Sequence, residues 1–78
     1  MSAPPLELLG TSACHLCEQA ERLLLQAQAA RPLHWQQVDI ALDEGLVATY
    51  GTRIPVLRQG ERTLDWPFSL LDILSFIK

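Results

Sequence analysis

Two hydrophobic rhythms alternate along the chain, and the switches between them mark its elements. Leu6-Glu7-Leu8-Leu9 is a short apolar run closed by Gly10-Thr11-Ser12, the pattern of a buried strand that ends in a loop. From Cys14 onward, Leu16, Ala20, Leu23, Leu24 and Ala27 recur at helical spacing, while Glu18, Gln19, Arg22 and Gln26 fill the opposite face. Thr11 or Ser12 is placed to cap this amphipathic helix, Glu18 precedes Arg22 by one turn, and Arg31-Pro32 ends it with a cation and a stop. The next segment, Leu33 to Ile40, sets Trp35, Val38 and Ile40 among His34, Gln36 and Gln37, a polar load that suits an edge strand.

In the second half, Asp43 to Tyr50 predicts a short helix with Leu42, Leu46, Val47 and Tyr50 on one side. Gly51 stands where a terminator in left-handed conformation is wanted. Pro55-Val56-Leu57-Arg58, a turn at Gln59-Gly60-Glu61, and Arg62-Thr63-Leu64-Asp65 predict an antiparallel hairpin, with Pro55 at the first position, where a missing N–H is tolerated. Beyond Trp66-Pro67, Ser69 and Asp72 form a capping-box pattern for a closing helix, whose Leu70, Leu71, Ile73, Leu74 and Ile77 are expected to be heavily buried. The first helix is long enough to serve as a right-handed crossover, so the first two strands should run parallel, with the hairpin added antiparallel on the other side. An α/β domain spanning 1–78 follows, with a four-stranded mixed sheet and three helices in the order βαβαββα.

Composition narrows the partners. Seventy-eight residues suit one core, and an apolar share of 49% against a charged share of 19% excludes intrinsic disorder. Six Lys and Arg against nine Asp and Glu give a net charge of -3, which argues against nucleic acid as the main partner. No apolar run reaches the ~18 residues of a membrane helix, and Met1-Ser2-Ala3-Pro4-Pro5 has no basic region followed by an apolar stretch. The expectation is a cytoplasmic protein without a membrane partner.

Chemistry concentrates in Cys14-His15-Leu16-Cys17, at the start of the first helix and directly after the first strand. Small secreted domains stapled by disulfides usually carry more cysteines at wider spacing, and a bridge across two residues stabilises a fold little, so this pair favours chemistry over architecture. Cysteines at i and i+3 share one helix face, close enough for a disulfide, and the helix N-terminus favours a thiolate on Cys14. Cys17, one turn on, is placed to resolve a mixed disulfide. His15 either assists Cys14 as a charged or proton-donating neighbour or points to solvent. Two alternatives stand beside thiol exchange: a pair of small buried hydrophobes, and a metal or iron–sulfur site. Zinc within one chain would need His15 and His34 as well, and parallel pairing sets His34 ~15 Å from the cysteine end of the sheet, as a surface residue. Glu7 fits a solvated strand face better than a proton relay beneath the cysteines.

Taken with Val38-Asp39 and Tyr50-Gly51 running into Arg53-Ile54-Pro55-Val56-Leu57, the motif and the element order resemble the glutaredoxins, within the thioredoxin-like superfold. The similarity covers nearly the whole chain and is nearest to compact bacterial glutaredoxin-like proteins. It implies a cis Pro55 packed beside the cysteine pair, against the alternative of an ordinary trans proline starting a strand; the topology accounts only for their proximity, because the first strand ends and the antiparallel third strand begins at the same edge. It also implies Ile54 backbone groups pairing with an extended peptide or glutathione, and thiol-disulfide exchange through Cys14 and Cys17 without a bound cofactor. Glutathione enters as a possible co-substrate, the partner being a disulfide-containing protein or glutathione itself, and the protein is expected to be a monomer. The sequence departs from the family pattern in several places. His15 replaces a proline, Thr11-Ser12-Ala13 lacks a lysine, and Asp65-Trp66-Pro67-Phe68 replaces the glycine pair and acidic residue that hold glutathione. Leu8 stands where thioredoxins proper carry a buried aspartate. Arg53 is left as a candidate carboxylate contact, and Trp66 is either a groove wall or core. A non-catalytic binding module using the groove between Cys14, Ile54 and Trp66 is the contrasting reading.

Overall fold

The computed structural model describes residues 4–77; Met1–Ala3, part of the opening read above for a leader, and Lys78 lie outside the described residues. The elements are β1 (Leu6–Gly10), α1 (His15–Ala30), β2 (Trp35–Asp39), α2 (Glu44–Tyr50), β3 (Val56–Gln59), β4 (Arg62–Asp65) and α3 (Leu70–Phe76), with a 3-10 turn at Ile40–Leu42 before α2. They form a four-stranded mixed sheet in the order β2-β1-β3-β4, the thioredoxin-like βαβαββα arrangement. β1 pairs parallel with β2 from Leu6↔Trp35 to Gly10↔Asp39, and antiparallel with β3 from Leu6↔Gln59 to Leu9↔Val56.

Pleating sorts the central strands onto two faces. Leu6, Leu8 and Leu57 point to one side and meet Ala20, Leu24 and Ala27 of α1 and Ile73 and Phe76 of α3. Leu9 and Val56 point to the other and meet Ile40, with Leu46 and Tyr50 of α2 packed against them. The small residues Ala20 and Ala27 let α1 lie close on the sheet, and full burial of a residue such as Leu24 contributes ~2 kcal/mol. Ser69 and Asp72 form the capping box at α3: Ser69 Oγ accepts from the Asp72 N–H at 3.1 Å, and Asp72 Oδ2 accepts from the Ser69 N–H at 2.9 Å. Asp43 caps α2, its Oδ1 accepting from the N–H groups of Gly45 and Leu46.

Several local expectations are corrected. The hairpin turn is tighter than the predicted Gln59-Gly60-Glu61, because Gln59 pairs with Arg62 and only Gly60 and Glu61 are left outside, Gly60 taking φ +64°. Gly51 is right-handed, with φ -54° and ψ -33°; a β-carbon there would stand 2.5 Å from the Val47 carbonyl oxygen, so crowding, not handedness, calls for glycine. The closing helix buries Ile73 and Phe76, but Leu71 is 74% exposed; on a seven-residue helix the apolar stripe is wider than the surface it can cover. Leu42 is likewise 86% exposed, lying in the turn that precedes α2. Glu7 is not solvated. It sits opposite Arg58 on β3, half-buried, with Arg58 Nε donating to Glu7 Oε1 at 2.9 Å. That hydrogen bond is the main cause that raises the Arg58 guanidinium above its ordinary range, with burial opposing it and Tyr50 adding a smaller contribution.

Because both partners of this cross-strand pair are largely shielded, removing one leaves the other poorly solvated. Glu7→Gln is expected to lower stability by ~1–3 kcal/mol in urea unfolding, with the m-value unchanged.

Candidate functional site

The chain leaves β1 at Gly10 and enters α1 at His15, with Cys14 as the N-cap in extended conformation. Neither Thr11 nor Ser12 caps the helix. Instead Cys14 Sγ accepts from the Cys17 N–H at 3.1 Å, while the Cys14 carbonyl takes the first helical bond from Glu18 at 3.2 Å. The two cysteines are joined as a disulfide, with Cα atoms 5.1 Å apart. They are unequal: Cys14 is half-exposed, whereas Cys17 is only 8% exposed and packs inward over the end of β1. Gly10 makes that packing possible, since a β-carbon at this position would stand 2.9 Å from Cys17 Sγ and 3.2 Å from its Cβ. Sequence reading passed Gly10 over as a loop residue; its signal was the placement of a glycine as the last residue of a buried strand.

His15 lies on the exposed surface of the first turn. Its Nε2 is 3.2 Å from Gln19 Nε2, and its Nδ1 is 3.9 Å from Glu18 Oε2. The solvent-facing option for this residue is therefore the geometry observed. His34 is exposed and precedes β2, which begins one residue later, at the end opposite the cysteines. Among the described residues, no group of three or more His, Cys, Asp or Glu side chains is placed to hold a metal ion. Among the described residues, no helix is long and apolar enough to cross a membrane.

On the Pro55 side, the antiparallel register carried one residue beyond Leu9↔Val56 sets Pro55 beside Gly10. The Ile54–Pro55 and Trp66–Pro67 peptide bonds are both cis, and the Trp66 N–H donates to the Pro55 carbonyl at 3.2 Å. Pro55 is fully buried, and Ile54 packs into the cluster around Leu9 and Val56. The Ile54 N–H, expected to be free for a peptide, donates to the Tyr50 carbonyl at 3.1 Å, closing the end of α2. Trp66 is half-buried against the larger core cluster, edge-on to Phe68 at 5.0 Å, so core packing is its observed role. Arg53, expected as a carboxylate contact, already has one. Its Nε and Nη2 donate to the two oxygens of Asp65 at 2.9 and 2.7 Å, and its guanidinium lies 4.9 Å from the Tyr50 ring centre.

The open space lies on the other side. A cleft of about 310 Å³ runs between α1 and the outer strand β2, with Cys14, Cys17, Glu18 and Glu21 on one wall and Gln37 and Asp39 on the other, Gly10 and Ser12 closing its end. Arg53, Ile54, Pro55 and Trp66 do not line it. Parallel pairing of Leu8 with Gln37 and of Gly10 with Asp39 turns the β2 residues toward the face that carries α1. The helix supplies the rest: Glu18 and Glu21 each stand four residues after a cysteine, on the same stripe. That spacing was legible in the sequence, but the facing wall required the register of β2.

Two outcomes are expected. Gly10→Ala forces Cys17 aside and should destabilise the protein by ~1–3 kcal/mol in denaturant unfolding, whereas the same change at exposed Gly45 should cost far less. The hydrogen bonds from Arg53 hold the Asp65 carboxyl below the usual carboxylate range, with partial desolvation opposing them. A lowered folded value means that the pair supports the fold above the ordinary carboxylate range and stops doing so as pH falls through the folded value. Carboxyl-carbon NMR titration should therefore find Asp65 with a lower midpoint than an unpaired aspartate, and Arg53→Gln should move it upward.

Comparison with known proteins agrees with this geometry. The sequence profile of the glutaredoxin-like domain (DUF836) matches residues 5–78. The X-ray structure of protein XcR50 from X. campestris is 39% identical, covering 90% of this chain and 91% of its own, with a TM-score of 0.79. The solution structure of XcR50 gives 40% identity and a TM-score of 0.73, over 91% of this chain and 88% of that one. Protein Ne2328 from Nitrosomonas europaea shares the fold at 23% identity, with a TM-score of 0.80 over all of this chain and 95% of its own. No curated protein matches. The cysteine pair at the start of α1, the βαβαββα sheet and a profile match from residue 5 to the C-terminus agree: the chain belongs to the glutaredoxin-like domain (DUF836) family.

Proposed function

We propose that the protein is a thiol-disulfide oxidoreductase that cycles through the Cys14–Cys17 disulfide. The observation that carries this reading is the inequality of the two sulfurs: Cys14 caps the helix and is half-exposed, while Cys17 is buried one turn away within disulfide reach. An exposed sulfur at a helix N-terminus is favoured as a thiolate, and it is the thiolate that attacks. In the reducing direction, the Cys14 thiolate attacks one sulfur of a substrate disulfide. A mixed disulfide forms, the substrate S–S bond breaks, and the leaving thiolate takes a proton from solvent. The Cys17 thiolate then attacks Cys14 Sγ, the second substrate thiol departs, and the protein pair is left oxidised by two electrons. A dithiol or low-molecular-weight thiol restores the pair. No resident cofactor enters this cycle. Disulfide-bearing proteins and small mixed disulfides, glutathione among them, are the substrate classes, and the cytoplasm, where such pairs turn over catalytically, is the compartment.

The cycle makes a direct test possible. Cys17→Ser should accumulate a mixed disulfide at Cys14 when the reduced protein meets a disulfide, visible as a mass increase that dithiothreitol reverses. Cys14→Ser should form no such adduct within the same interval. Equal trapping by both variants, or by neither, overturns the assignment of roles.

A further inference from the structure

The cleft beside the disulfide carries one sign of charge. Glu18 and Glu21 sit one helical turn beyond Cys14 and Cys17, Asp39 faces them from β2, and among the described residues no lysine or arginine lines the space. Arg22, one turn beyond Glu18 on α1, does not line the space, and two further arginines are engaged elsewhere: Arg53 by Asp65 on the Pro55 side, and Arg58 by Glu7 on the face that carries α2. His15, which touches Glu18 at 3.9 Å, adds charge only when protonated. Asp39 Oδ1 accepts from the Ala41 N–H at 3.0 Å, which fixes its carboxylate at the end of β2. A disulfide that reaches the half-exposed Cys14 sulfur from the cleft brings its flanking groups past this wall.

Resting on the exchange reading above, we propose that Glu18, Glu21 and Asp39 determine specificity, selecting disulfides flanked by cationic groups, such as lysine- or arginine-bearing peptides or amine-bearing small thiols, over anionic ones. Each glutathionyl group is net anionic, and Asp65-Trp66-Pro67-Phe68 stands where the resemblance would place glutathione-holding residues. Carboxylates close to the reacting sulfur repel such a substrate and attract its cationic counterpart, raising the local concentration of the latter at low ionic strength.

The experiment uses the fully reduced protein at pH 8 and three model disulfides: cystamine (cationic), hydroxyethyl disulfide (neutral) and dithiodipropionate (anionic). Oxidation of the protein is followed by acid quench and mass spectrometry. The quantity read is the ratio of the cystamine rate to the dithiodipropionate rate, compared with the same ratio for Glu18→Gln/Glu21→Gln/Asp39→Asn. Intrinsic reactivities of the disulfides and any change in Cys14 ionisation cancel in that comparison. The wild-type ratio should exceed the variant's by about tenfold at ~0.01 M salt and converge with it near 0.5 M, where the screening length falls to a few ångströms. If the triple variant does not fold, Glu18→Gln/Glu21→Gln, confined to the surface of α1, should show the same change at reduced size. A ratio unchanged by the substitutions, or one that favours the anion in the wild type, overturns the inference and leaves exchange standing. Failure of all three disulfides to react overturns the exchange reading and this inference together.

Discussion

Helix α1 comes down onto the sheet at Gly10, where the sulfur of Cys17 occupies space that any β-carbon would contest at 2.9 Å. That approach sets the height of the first turn above the end of β1, and with it the position of Cys14 as the cap. Had residue 10 carried a side chain, the first turn would ride higher or the chain would need a longer loop. Cys17 would then lose its burial, and the two sulfurs their inequality. Ala20 and Ala27 keep the rest of the helix at the same distance, so one close-packing condition runs along the whole element.

Electrostatics follow from the same topology. The two central strands are buried on both faces, which leaves little room for charge except in matched pairs. Glu7 opposite Arg58 is such a pair, and Arg53 with Asp65 ties the segment before β3 to the end of β4. Arg62 rests its guanidinium over the Phe76 ring, 4.5 Å from the centre. With these cations committed to the β3–β4 half of the molecule, the acidic side chains around the β1–β2 edge face the cysteines without a neutralising arginine in the cleft wall.

Much of this was legible in the sequence because the signals were local. Strand and helix periods, the Ser69 and Asp72 cap, the parallel-then-antiparallel pairing and the cysteine spacing each depend on residues a few positions apart. What escaped depended on distant partners. Glu7 read as solvated because its partner lies 51 residues away in sequence, and Arg53 read as available because it lies before β3 and its partner Asp65, at the end of the second hairpin strand, is 12 residues away. Ile54 looked free until the end of α2 was seen to turn back and take its N–H. Gly51 was assigned by frequency to a left-handed cap, when the constraint was contact with a carbonyl one turn earlier. The cleft was the hardest to foresee. Its two walls are joined only by strand register, which a one-residue slip would have replaced with the opposite face.

The cap made by Cys14 has a thermodynamic side. A disulfide sulfur is a weak hydrogen-bond acceptor, whereas a thiolate is an anion lying at the positive end of a sixteen-residue helix. Reduction of the pair, as the proposed cycle requires, would therefore change how firmly the first turn of α1 is fastened, and by reciprocity anything that loosens or tightens that turn would shift the balance between dithiol and disulfide. In the proposed cycle, a partner docked against the start of the helix would act on the cysteine pair without touching either sulfur.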